Sequence, residues 1–235
     1  MSRARPRALF VRNERLAPPG YLGVRAERLG FEVVSASPPD LPDAADFDLV
    51  VPLGSAESAY DDDVPWLGGE LAWLARAVDR GVPTLGVCFG AQALSRALGG
   101  VVAPLAAPEV GWRKVDSDDP GVIETGPWLQ WHYDTLTVPP GGSLLATNEY
   151  GVQAFRWGPH LGVQFHPEAT VDIVRGWVDA GPGMLQAAGV DPERLVRRTR
   201  VEAEAARGRA TRLFDRFCDL ALGRRSGTGP GGPSG

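Results

Sequence analysis

The segment Leu85-Gly-Val-Cys88-Phe-Gly-Ala-Gln92 places a cysteine where an apolar strand ends and a helix begins. Gly86 and Gly90 stand on either side of it. Small neighbours let such a turn close sharply and leave the central side chain unshielded. The helix N-terminus behind the thiol adds positive potential and unpaired N–H groups, both of which favour a thiolate. A free thiol of pKa ~8.5 is only a few per cent ionised at neutral pH, so a nucleophilic role needs this field and a nearby base. The second cysteine, Cys218, lies between Phe217 and Leu220 on an amphipathic helix and is expected to pack in the core.

The base is expected in Gly162-Val-Gln-Phe-His166-Pro-Glu168. A residue before proline is pushed towards extended backbone. His166 and Glu168 are two apart in extended chain and therefore project to one side. A carboxylate beside an imidazole fixes its tautomer and stabilises the imidazolium formed when a thiol gives up its proton. Of the other histidines, His132 is expected at a pocket or loop, and His160, beside Pro159 in a hairpin turn, is expected to be solvent-exposed. The acidic run Asp61-Asp-Asp63 is read as a solvated loop rather than a metal site. No Walker-type glycine loop, dinucleotide fingerprint or zinc-spaced Cys/His set occurs, so neither cofactor nor metal is expected.

The elements that must position these residues alternate between short apolar runs and helical stripes, as in a mostly parallel sheet with covering helices. Ala8–Val11, Phe31–Ser35, Phe47–Val51 and Pro83–Val87 read as strands. Tyr21–Leu29, Trp66–Val78 and Ala91–Leu98 read as helices that stop at Gly30, Gly81 and Gly99. Val110–Val115, Leu144–Thr147, Val152–Trp157 and Leu161–Phe165 are strand-like and closely spaced, which predicts an antiparallel or mixed edge. Residues 191–222 read as helical. The Gly/Pro/Ser/Thr-rich residues 226–235 are expected to be disordered. One domain over residues 1–225 fits a chain of 235 residues.

The bulk numbers narrow the classes of function. A net charge of −5 without strong clustering argues against nucleic acid or an anionic membrane as partner. Two cysteines in unlike surroundings argue against a disulfide framework and for a reducing cytoplasm. No apolar stretch approaches the ~20 residues of a membrane span.

Gly86-Val-Cys88-Phe-Gly90-Ala-Gln92 and His166-Pro-Glu168 together resemble, in order, the two signature motifs of class I glutamine amidotransferases, nearest to the amidotransferase domain of GMP synthase and its free-standing relatives. The resemblance implies an α/β, flavodoxin-like three-layer sandwich and a γ-glutamyl thioester on Cys88. It implies His166 and Glu168 as base and orienter. Pro52-Leu53-Gly54-Ser55 is similar to the family's oxyanion loop, which implies backbone N–H groups of Gly54 and Phe89 as the oxyanion donors; Leu53 stands where the family usually has a glycine. Gln92 matches a substrate-contacting glutamine. Trp131-His132-Tyr133-Asp134 looks like the family's Ser-His-Gly-Asp stretch, which implies Asp134 as the partner of the α-ammonium of glutamine, with His132 and Tyr133 beside it. Glu109-Val-Gly-Trp112 is family-like and is read as structural.

Three functions follow. In the first, the protein is a glutaminase that passes ammonia to a separate synthetase or acceptor protein, since nothing in the chain resembles a nucleotide-binding synthetase domain. In the second, it is a stand-alone hydrolase of γ-glutamyl amines or peptides, with identical acylation chemistry and a different leaving amine. In the third, it is a non-catalytic binding module; the intact Cys88, His166 and Glu168 set argues against this. Asp134 and Gln92 favour the first.

Overall fold

The computed structural model describes residues 5–223; the expected disordered tail at 226–235 lies outside them. Five parallel strands form the centre. They are β1 (Arg7–Val11), β2 (Glu32–Ala36), β3 (Leu49–Pro52), β4 (Leu85–Val87) and β10 (His160–Val163). Their order is β2-β1-β3-β4-β10, with β3 and β4 joined by one parallel bridge between Val50 and Thr84. Beyond β10 the sheet turns antiparallel through β9 (Gly151–Trp157), β8 (Ser143–Asn148) and the short β6 (Asp116–Ser117). This is the mixed edge expected from the closely spaced C-terminal runs. A separate antiparallel ribbon pairs β5 (Val102–Arg113) with β7 (Trp128–Leu136).

Strand alternation sorts the side chains into two cores. Ala8 and Phe10 of β1 and Leu49 and Val51 of β3 face one side. There they meet Leu22 and Ala26 of α1 (Gly20–Arg28) and Leu213, Phe214 and Phe217 of α6 (Pro192–Leu222). Leu9, Val11 and Val50 face the other side, against Leu67 and Leu74 of α2 (Leu67–Asp79) and Ala91 and Leu94 of α3 (Phe89–Ala97). The result is the flavodoxin-like three-layer sandwich. Cys218 is buried in the first core, as a packing residue should be.

The C-terminal segment is a single helix of 31 residues. Its Asp191 cap accepts the N–H of Arg194, and it is tied to α1 by a two-pronged Arg25–Asp215 ion pair. Leu213, Phe214 and Phe217 are almost fully buried, at about 1.5–3 kcal/mol each. Most of this helix is therefore a structural layer. Two further helices were not evident from the sequence: α4 (Val171–Ala180), capped by Thr170, and α5 (Pro182–Ala187). Among the described residues, no helix is long and apolar enough to cross a membrane.

Candidate active site

Cys88 joins β4 to α3 with φ 51° and ψ −112°. Among the described residues it alone, apart from glycines, has a positive φ. Such a backbone costs of order 1–3 kcal/mol and persists only where its surroundings enforce it. Here the enforcement is steric. A Cβ on Gly86 would lie 2.7 Å from the Ala91 Cα, and one on Gly90 would lie 2.0 Å from the Pro52 carbonyl oxygen. The Cys88 N–H donates to Val163 O at 2.8 Å, and its own carbonyl accepts from Ala91 and Gln92 at 2.9 and 3.0 Å. The N–H of Phe89, at the first helical position, has no intrahelical acceptor. Gly54, on the loop after β3, lies against this turn. A Cβ there would be 3.2 Å from His166 Cε1 and 4.0 Å from Cys88 Cβ.

His166 follows β10, the parallel neighbour of β4, so the two side chains meet at the same carboxyl edge of the sheet. Phe165 stacks on Trp128 with centroids 4.4 Å apart, and the His166 N–H donates to Leu129 O at 2.9 Å. The residue before the imidazole and its own backbone are thus both pinned. Nδ1 donates to Glu168 Oε1 at 2.7 Å, and Nε2 lies 3.4 Å from Trp131 O. Cys88 Sγ lies 3.9 Å from the same carbonyl. Burial alone would push the imidazole down. The Glu168 carboxylate and the Cys88 sulfur, with which His166 also hydrogen-bonds, outweigh it and hold the imidazole well above its ordinary range. This arrangement favours a thiolate–imidazolium pair.

A cavity of about 200 Å³ opens over Cys88 and His166. Gly54, Gln92, His132, Tyr133 and Asp134 all line it. The Asp134 side chain is buried and its Oδ1 has no hydrogen-bond partner among the described residues. Burial raises its carboxyl, and a hydrogen bond from Ser58 offsets part of that rise. A cavity-lining carboxylate oxygen left unpaired invites a cation or donor. Gln92 Nε2 donates to Gln164 Oε1 at 3.1 Å. The Tyr133 hydroxyl donates to the Ala56 carbonyl and ties β7 to the loop after Gly54.

His132 differs from the others. Its Nε2 pairs with Glu109 Oε2 at 2.8 Å and its Nδ1 with Asp134 O at 2.9 Å, so both ring nitrogens are occupied. Glu109, fully buried, also accepts from Asn148 and Gln153. This network fixes the Asp134 backbone and fits the structural reading of Glu109. One expectation is overturned. His160 is 1% exposed rather than solvent-facing. It heads β10 between β4 and β9, and burial pushes its imidazole down to about 4.

Three further residues of the site were not evident from the sequence. Gln164 Nε2 donates to Cys88 Sγ at 3.6 Å, across 76 positions of chain. Its only sequence signal is its place two before His166, on the same face of an extended segment. Trp177 of α4 packs edge-on against His166, centroids 4.6 Å apart. The stripe Ile173, Val174, Trp177 after the capping residue Thr170 is its sequence signal. Glu14, on the loop after β1, lines the cavity and accepts from the Ala56 N–H at 3.1 Å.

The sequence model of the class-I glutamine amidotransferases matches residues 25–173. A free-standing glutamine-hydrolysing component of the GMP synthase of Ignicoccus hospitalis, named as one of its subunits, is 35% identical over 153 residues, covering 60% of this chain and 78% of that one. The GMP synthase of Aeropyrum pernix is 33% identical over 156 residues; the match covers 63% of this chain but only 28% of the relative. Among solved structures, a glutamine amidotransferase of Thermotoga maritima superposes with a TM-score of 0.83 at 26% identity, covering 92% of this chain and 99% of that one. One from Methylobacillus flagellatus gives 0.82 at 25% identity, covering 95% and 97%. With the fold, the order of the motifs and the matched span in agreement, the chain belongs to the class-I glutamine amidotransferase family.

Proposed function

We propose that the protein hydrolyses the γ-amide of L-glutamine through a thioester on Cys88. The thiolate attacks the γ-carbonyl carbon, and the charge that collects on the carbonyl oxygen is met by the backbone N–H groups of Gly54 and Phe89. Loss of one such donor typically costs about 3 kcal/mol of barrier. The C–N bond then breaks, and the leaving nitrogen takes the imidazolium proton of His166 to depart as ammonia. Water adds to the thioester and gives its proton back to His166. The C–S bond breaks, and glutamate leaves with the thiolate restored. Glu168 holds the imidazole in its tautomer throughout. Gln92 and Asp134 hold the amino acid, with Asp134 on its α-ammonium, while His132 and Tyr133 keep that wall in place.

The observation that carries this reading is the meeting, in one cavity, of Cys88, the His166–Glu168 pair and the unpaired Asp134 oxygen. The ammonia is delivered to an acceptor protein. The Ignicoccus relative, being one subunit of a synthase, supports a separate synthetase partner. Cys88→Ala is the direct test. It should abolish glutamate release from glutamine while the fold, read by circular dichroism and Tm, is kept; retained release would remove the nucleophile.

A further inference from the structure

The cavity holds more than free glutamine needs. Its lining includes three carboxylates, Glu14, Glu57 and Asp134, and no lysine or arginine. Glutamine brings one ammonium group, and Asp134 meets it. Glu14 and Glu57 then face the cavity without a cation of the substrate to match. Burial raises the Glu14 carboxyl, while the Ala56 N–H and the charge of His166 draw it back.

The apolar lining is also placed on a particular side. Trp177 abuts His166, and Trp131 lies 5.8 Å from Trp177. Gly181 fits closely beneath Trp131, where a Cβ would come within 3.1 Å of Cζ2. Leu16 reaches the same wall, since its carbonyl accepts from Trp177 Nε1 at 2.7 Å. This wall therefore begins at the imidazole that hands its proton to the departing nitrogen. Any substituent on that nitrogen would lie along it. Ammonia has none.

We infer that the leaving group this site is shaped for is an alkylamine with a second cationic end, so that the substrate class is the γ-glutamyl amide of an aliphatic diamine or polyamine. The stem lies on the Trp131–Trp177 wall, and the distal ammonium reaches Glu14. Rings of this kind also attract an ammonium directly. The chemistry is otherwise that of the thioester reading, on which this inference rests. The amide C–N bond breaks, the diamine takes the His166 proton, and water supplies the oxygen of the released glutamate.

The test compares kcat/KM at pH 7.5 for three probes: mono-γ-glutamyl-1,4-diaminobutane, γ-glutamyl-n-butylamine and glutamine. The diamine amide should be hydrolysed best, at least about tenfold above the butylamide, as for a hydrogen bond to a charged group. Glu14→Gln, which keeps an oxygen for the Ala56 N–H, should shrink that ratio to about threefold or less. Because the ratio is taken within one variant, a loss of folded protein cancels. A butylamide turned over as fast as the diamine amide, a ratio unmoved by Glu14→Gln, glutamine as the best substrate, or no turnover of the diamine amide each overturns the inference. Cys88→Ala run on all three probes separates the two readings. Activity surviving that change removes the thioester itself, whereas Cys88-dependent hydrolysis of glutamine without cation preference removes only the diamine assignment.

Discussion

Replacing Glu168 by glutamine changes one charge and almost no volume, at a position that is fully buried and 2.7 Å from His166 Nδ1. The imidazolium and carboxylate charge centres sit about 4 Å apart, and at an effective dielectric near 20 that attraction amounts to about 4 kcal/mol. The glutamine carbonyl can still accept the Nδ1 proton, which retains about 1 kcal/mol as a neutral hydrogen bond. The net loss of about 3 kcal/mol falls on the state in which the imidazole is charged, and so corresponds to roughly 10²-fold in kcat. KM for glutamine should move little, because Glu168 does not face the substrate wall. The pH profile supplies a second readout. Burial pulls the imidazole down and Glu168 is the largest influence holding it up. Without that carboxylate the imidazolium loses its proton at lower pH, and the alkaline limb of kcat must shift towards acid. Steady-state glutamate release across pH 6–10, for wild type and Glu168→Gln, measures both. A loss under threefold, or an alkaline limb that stays in place, would refute the assignment of Glu168 as the orienting charge.

Two other predictions concern buried carboxyl groups. Asp134→Asn should raise KM for glutamine by about 10- to 100-fold while lowering kcat far less, the pattern of lost uniform binding; an unchanged KM would show that Asp134 does not hold the α-ammonium. Glu70, on α2, is 1% exposed, and burial pushes its carboxyl up to about 7. The folded state therefore binds its proton more tightly than the unfolded chain. Stability from this group is complete below about pH 4.5 and falls as pH rises towards 7, by about 3 kcal/mol in total. Glu70→Gln should accordingly raise Tm at pH 8 and leave it nearly unchanged at pH 4.5; equal effects at the two values would contradict the titration.

The parts of the site that are legible in the sequence are those whose geometry is local. Gly86 and Gly90 bracket Cys88 within one turn, and only a strand-to-helix corner gives two such glycines a joint purpose. The extended His166-Pro167-Glu168 segment fixes its own side-chain directions. What is not legible depends on pairing between distant strands. β7 carries Gln130, His132 and Asp134 at every second position, all of them buried. Taken alone they look like a loop, because polar residues at strand spacing suggest an exposed face. Their burial makes sense only once β5 pairs with β7 and brings Glu109 opposite His132. The burial of His160 escapes the sequence for the same reason: its turn is local and visible, while the two strands that enclose β10 are not.

The same distinction bears on how substrate selection is divided in this fold. The thiol, its base and the oxyanion loop sit at the carboxyl ends of β3, β4 and β10, where the sheet itself sets their spacing. The leaving-group wall comes instead from the loop after β1 and from α4 and α5, none of which contributes a strand. Changes there can alter which amine departs without disturbing the Cys88 turn, since Leu16, Ala180 and Met184 line the cavity but take no part in the Cys88–His166–Glu168 contacts. Trp177 is the exception, because it touches the imidazole as well as the wall. A change at Trp177 would thus couple selectivity to rate, whereas one at Met184 would separate them.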